Sequence, residues 1–103
     1  MYIKIWLDDV REAPTDYIRT HSVNETKQLV LKSLNQGTKT IYFDLDHDLG
    51  EYAGDGGDAI KLVDWLLENY YDKNMDFTFH IHSMNPVGAD NMKRAIERYW
   101  EVI

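Results

Sequence analysis

The stretch Thr40-Ile41-Tyr42-Phe43-Asp44-Leu45-Asp46-His47-Asp48-Leu49-Gly50 decides the fold. Its first six residues are β-branched, aromatic and aliphatic, which suits a central strand, and the run then breaks into acids with an imidazole among them. Toward the amino terminus, Tyr2 to Leu7 reads as a second nearly apolar strand that stops abruptly at Asp8-Asp9. Strands without polar alternation suit a sheet covered on both faces. Val10 to Pro14 is too short for a packed crossover helix, so the first helix is stunted to a loop or a single turn. Tyr17 to His21 can form another strand. Ser22 or Asn24 then caps a helix to about Asn35, with Val23, Val30, Leu31 and Leu34 inward and Gly37 ending it.

Toward the carboxyl terminus, Gly50, Gly54, Gly56 and Gly57 mark a loop, and Gly54-Asp55-Gly56-Gly57-Asp58 reads as a mobile flap. It lacks the Lys-Ser/Thr of a Walker loop and the position of a dinucleotide fingerprint. A helix follows from about Asp58, with Ile60, Leu62, Val63, Leu66 and Leu67 at helical spacing and Asn69 to Asn74 closing it. Phe77 to His82 is the last clear strand. After Pro86 a final helix runs from about Ala89 to Trp100, with Met92, Ile96, Tyr99 and Trp100 inward. Alternation of this kind predicts a mainly parallel sheet with right-handed crossovers. The expectation is a single domain over residues 1–103, an α/β three-layer sandwich of flavodoxin type on a four-stranded sheet.

Composition supports one core and narrows the chemistry. The 103 residues include 44% apolar side chains, three Trp and seven Tyr, which is ordinary globular usage. The tryptophans Trp6, Trp65 and Trp100 read as packing residues. There is no cysteine, so metal ligands must be carboxylates and imidazoles, and the cytosol is the expected compartment. No leader and no membrane-spanning run is expected. A net charge of -7 disfavours an extensive nucleic-acid surface.

Three strands end in Asp8-Asp9, in Asp46-His47-Asp48 and in His82-Ser83-Met84-Asn85. Ligands of such sheets bind beyond the carboxyl ends of the strands, so these groups are expected in one cleft. Asp8, Asp9 and Asp46 make a hard oxygen site for a divalent cation. An imidazole between Asp46 and Asp48 suits a general acid or a phosphate-binding cation. His82 is the better candidate for acid–base work at the mouth of the last strand, while His80 reads as a core histidine and Asp44 as second to Asp46. Asn85-Pro86 with Gly88 before a helix would aim free backbone N–H groups at a phosphate, and Arg11 could clamp an anion.

With those residues in view, the chain resembles the cyclic-phosphate processing receiver domains, a divergent branch of the response-regulator receiver fold. The likeness rests on Trp6-Leu7-Asp8-Asp9-Val10-Arg11 with Pro14, on Leu45-Asp46-His47-Asp48-Leu49-Gly50, and on His82-Ser83-Met84-Asn85-Pro86-Val87-Gly88 with Met92. It implies a receiver-like fold with Asp8, Asp9 and Asp46 as the receiver acids, and His47, Asp48, His82, Ser83 and Asn85 as the family's distinctive set, from which an enzymatic role on cyclic phosphates of RNA ends or nucleotides is inferred. Taken with the residues themselves, the leading expectation is a metal-assisted phosphoesterase that opens or removes a cyclic or terminal phosphate on a nucleotide, a phosphorylated small molecule or an RNA end. It has Mg²⁺ or Mn²⁺ on Asp8, Asp9 and Asp46, catalysis by His47, His82, Asp46 and Asp48, and Arg11, Ser83, Asn85 and Gly88 against the substrate. The closing lysine of ordinary receivers has no fifth strand to carry it, and Ala89 stands where relatives often have a basic residue. A non-catalytic nucleotide-binding module and an aspartyl-phosphate receiver are the other readings.

Overall fold

The computed structural model describes all 103 residues. Strands β1 (Tyr2–Leu7), β2 (Ile18–Thr20), β3 (Thr40–Leu45), β4 (Asp76–Ile81) and β5 (Glu101–Val102) alternate with helices α1 (Val23–Asn35), α2 (Ala59–Tyr70) and α3 (Pro86–Glu97). The strands form one parallel sheet in the order β2-β1-β3-β4-β5, which is receiver-like. The expected four strands are thus five. β5 is two residues long and has too little sequence to show a period of its own.

Each crossover from β2 onward moves in the same direction across the sheet, and right-handed connections therefore place α1, α2 and α3 on the same face. Ile5, Leu7, Ile41, Phe43, Leu45, Phe77 and Phe79 point to that face and pack with Val23 and Val30 of α1, Leu62 and Leu66 of α2, and Met92 and Ile96 of α3. Full burial of a side chain of this size contributes about 1.5–3 kcal/mol. The only step in the other direction, β1 to β2, has no helix, so the expected third layer is missing and the fold has two layers. The other face of the sheet carries Tyr2, Lys4 and Trp6 from β1, Tyr42 and Asp44 from β3, and Thr78 and His80 from β4, in register with one another. Tyr2 is 61% and Tyr42 37% exposed there.

Local chemistry sets the remaining boundaries. Ser22 caps α1 by accepting the N–H of Glu25, and Asn85 caps α3 by accepting the N–H of Gly88. Pro86 occupies the first turn of α3, where its missing N–H costs nothing, so this helix starts three residues before the expected Ala89. It ends at Glu97, and Tyr99 is exposed instead of buried. Leu31 of α1 is likewise exposed, and Val30 alone of that pair is buried. The expected mobile flap is tied down. Gly50–Gly54 forms a 3-10 turn, and Asp55 accepts hydrogen bonds from Ser22 Oγ at 2.6 Å and Asn24 Nδ2 at 3.0 Å. No helix is long and apolar enough to cross a membrane.

Candidate functional site

The hydrogen-bond ladder of the sheet runs one residue beyond the strands. Asp8 N–H donates to Thr20 O at 3.1 Å, Asp46 N–H to Leu7 O at 2.9 Å, and His82 N–H to Leu45 O at 3.0 Å. Three ionisable residues from three strands are thereby held side by side at the carboxyl edge.

Asp8 is 1% exposed. Its Oδ1 accepts the N–H groups of Val10 at 2.8 Å and Arg11 at 2.7 Å, and its Oδ2 accepts from His82 Nε2 at 2.9 Å. Burial pushes its carboxyl up, but the amides of Arg11 and Val10 together with His82 outweigh that and hold it below the ordinary carboxylate value. Asp46 goes the other way. Burial and the neighbouring charge of Asp8 raise its carboxyl, and hydrogen bonding from Ser83 with the charge of His82 only partly offsets them. Ligand oxygens of Asp8, Asp9 and Asp46 all lie within 4.8 Å of one another. Gly50, at φ +55°, passes so close that a Cβ there would fall 2.6 Å from Asp9 Oδ2. A repelling, oxygen-only cluster of three carboxylates with a backbone cradle fits a hard divalent cation.

His82 is engaged through both ring nitrogens, since Nδ1 meets Asp44 Oδ1 at 2.5 Å while Nε2 meets Asp8 Oδ2. Between two carboxylates, both nitrogens must carry protons to donate, so the ring is an imidazolium. Burial lowers its pKa, and hydrogen bonds to Asp44 and Asp8 more than reverse this, raising it above the ordinary histidine value. Trp6 stacks on the ring at 3.7 Å between centroids and 6° between planes. Asp44 also accepts from His80 Nδ1 at 3.0 Å. His80 is therefore not the expected core histidine; it lies on the open face with half its side chain exposed.

His47 belongs to a separate cluster. It does not lie between Asp46 and Asp48, because Asp46 turns toward Asp8 and Asp9 while His47 turns toward Asp48 and Asp58. His47 Nδ1 meets Asp48 Oδ1 at 2.6 Å, and Asn85 Nδ2 donates to both oxygens of Asp48 at 3.3 Å. The hydrogen bonds from His47 and then Asn85 keep the exposed Asp48 carboxyl below its usual range. His47 Nε2 has no protein partner and is open to solvent.

The expected phosphate seat at the start of α3 is corrected in part. Gly88 N–H is consumed by Asn85 Oδ1 and Ala89 N–H by Asn85 O, and Pro86 has none, so Val87 holds the one free amide of that turn. Gly88 serves by leaving space, since a Cβ there would fall 2.6 Å from His47 Cγ. Arg11 gives Asp8 its amide and accepts Trp6 Nε1 at its carbonyl at 3.2 Å, while its guanidinium pairs with nothing. Ser83 Oγ accepts Asn85 N–H at 3.1 Å.

Sequence reasoning underrated Asp44, Trp6 and Asp58. The first two share the open face with His80 and His82 at a two-residue spacing, a signal available from strand periodicity. Asp58 accepts Leu49 N–H at 3.0 Å and closes the His47 cluster, a contact nine residues away that no local pattern announces. The larger concavities lie elsewhere; the largest, about 640 Å³, opens at the amino ends of the strands beside Leu34, Lys39 and Tyr70.

A family model described as the cyclic-phosphate processing receiver domain matches residues 3–98. No curated protein and no solved structure matches the chain.

Proposed function

The chain belongs to the cyclic-phosphate processing receiver domain family, and from that membership we propose that it is a phosphoesterase acting on a cyclic or terminal phosphate of a nucleotide or an RNA end. The observation that carries this reading is the His47–Asp48 pair. Asp48 holds Nδ1, Gly88 backs the ring, and Nε2 faces solvent unpaired. An imidazole held through one nitrogen presents the lone pair of the other, which is the arrangement of a general base.

In this scheme His47 Nε2 takes a proton from an attacking water as the water oxygen bonds to phosphorus. A phosphorus–oxygen bond to the ribose breaks on the opposite side, and the released oxygen takes its proton from solvent. Asp48 keeps the imidazole in the right tautomer, and Asn85 keeps Asp48 in place. Asp8, Asp9 and Asp46 would hold Mg²⁺ or Mn²⁺, which when bound supplies positive charge to the phosphoryl oxygens. His82 has both nitrogens committed, so its role here is a fixed cation that orients Asp8, with acid–base work left to His47. The free guanidinium of Arg11 and the Val87 amide are the groups of this rim available to a phosphate.

The test is turnover of 2′,3′-cyclic nucleotides, followed by phosphorus NMR, with and without chelator and with His47→Gln. Loss of turnover in His47→Gln is expected. Turnover that survives His47→Gln removes the base from the scheme, and turnover that survives chelation removes the metal.

A further inference from the structure

A parallel sheet is almost always covered on both faces, because both of its faces are built from strand side chains that gain by leaving water. Here the face opposite the helices is bare. Tyr2, Trp6 and Tyr42 line it, Tyr17 leans across Trp6 at 6.1 Å between ring centroids, and Lys4 Nζ lies 5.4 Å from the Tyr17 ring and 6.0 Å from that of Tyr42. Its charges are segregated. Lys4 and Arg19 stand on the β1–β2 half, and Asp76 and Glu101 on the β4–β5 half, with Asp44 between them already paired to His80 and His82. Arg19 Nε is buried with no hydrogen-bond partner.

We propose that this open face is a docking surface for a second copy of the chain, packed sheet against sheet about a two-fold axis running along β3. Such an axis lays the β1–β2 half of one copy over the β4–β5 half of the other, so each basic half meets an acidic half, and it brings Tyr42 against its own counterpart. Aromatic residues gather at the centre of such contacts, and here the one acid on the axis strand, Asp44, is already paired with His80 and His82. The acidic half and the net charge of -7 make the face a poor match for a nucleic-acid strand. Three strands of six residues with one of three and one of two, at about 3.3 Å per residue and about 4.8 Å spacing, offer on the order of 360 Å² per copy, or roughly 700 Å² for the pair, which is below a standard interface and suits a weak, transient pairing. The association is therefore concentration-dependent.

Sedimentation velocity over a range of protein concentrations tests it. The wild-type chain is expected to pass from monomer to dimer. Tyr42→Glu and Arg19→Glu should each weaken association about tenfold or more. Within one copy Arg19 and Glu101 stand on strands four spacings apart, roughly 19 Å, too far to touch. Restoration of the dimer by combining Arg19→Glu with Glu101→Arg therefore reads a contact between copies. A chain that stays monomeric at all concentrations, a dimer indifferent to all three variants, or a monomer that binds a fluorescent single-stranded oligonucleotide on this face overturns the proposal.

Discussion

His47 presses against Gly88: a methyl group on that glycine would fall 2.6 Å from Cγ and 2.7 Å from Nδ1 of the imidazole. The contact joins the turn after β3 to the first turn of α3 and sets the direction of Nε2.

Gly88→Ala should therefore separate function from stability. Alanine favours a helix over glycine by about 0.5–1 kcal/mol, so the urea midpoint should hold or rise, provided His47 swings aside. A ring displaced by an ångström or more should lower kcat about 100-fold. Loss of both stability and activity would show that His47 cannot move.

Divalent metal should stabilise the fold. At about 100 times the dissociation constant, bound Mn²⁺ contributes about 2.7 kcal/mol, visible as a rise in Tm. Asp9→Asn should abolish the rise with little cost to the metal-free protein, because Asp9 makes no hydrogen bond that the fold uses. An undiminished shift in that variant would place the metal elsewhere.

His82→Asn should be costly without any ligand present. Two carboxylates, Asp8 and Asp44, would face each other across the vacated ring with no cation between them. Removing one partner from a buried ionic group costs about 3–5 kcal/mol, to be read from chemical denaturation at neutral pH. A loss below about 1 kcal/mol would mean that water replaces the imidazolium.

Asp55 makes a pH-dependent tie. Hydrogen bonds from Ser22 and then Asn24 hold its carboxyl below the ordinary 3.8, so the folded state binds its proton less readily than the unfolded chain does. Its contribution is present in full above 3.8 and fades as pH falls through the depressed folded value. The stability gap between wild type and Asp55→Ala should be open at about pH 6 and close toward about pH 3. A gap constant over that range would assign the effect to packing alone.

Much of this was legible in the residues. The strand-end acids Asp8, Asp9 and Asp46 do converge, because a parallel register carries equivalent positions to one edge. The division of the acids into two clusters was not legible. Strand alternation sends Asp46 and His47 to opposite sides, and only the packing of Gly88 and Asp58 shows where His47 goes. His80 was misplaced for a physical reason: a core histidine presumes a covered sheet, and the short link from Val10 to Pro14 already signalled that no helix crosses that face. β5 escaped notice because it is held by the backbone of β4, with Ile103 N–H on Phe79 O at 2.8 Å, and not by any pattern of its own.

The interstrand ladder that carries Asp8, Asp46 and His82 leaves these groups without a hinge. Their spacing can change only if strand ends come apart, so no lid needs to order before they face a ligand, and little entropy is lost in assembling them. Heat should accordingly silence the acidic rim at the temperature where the sheet itself melts, with no earlier inactivation step.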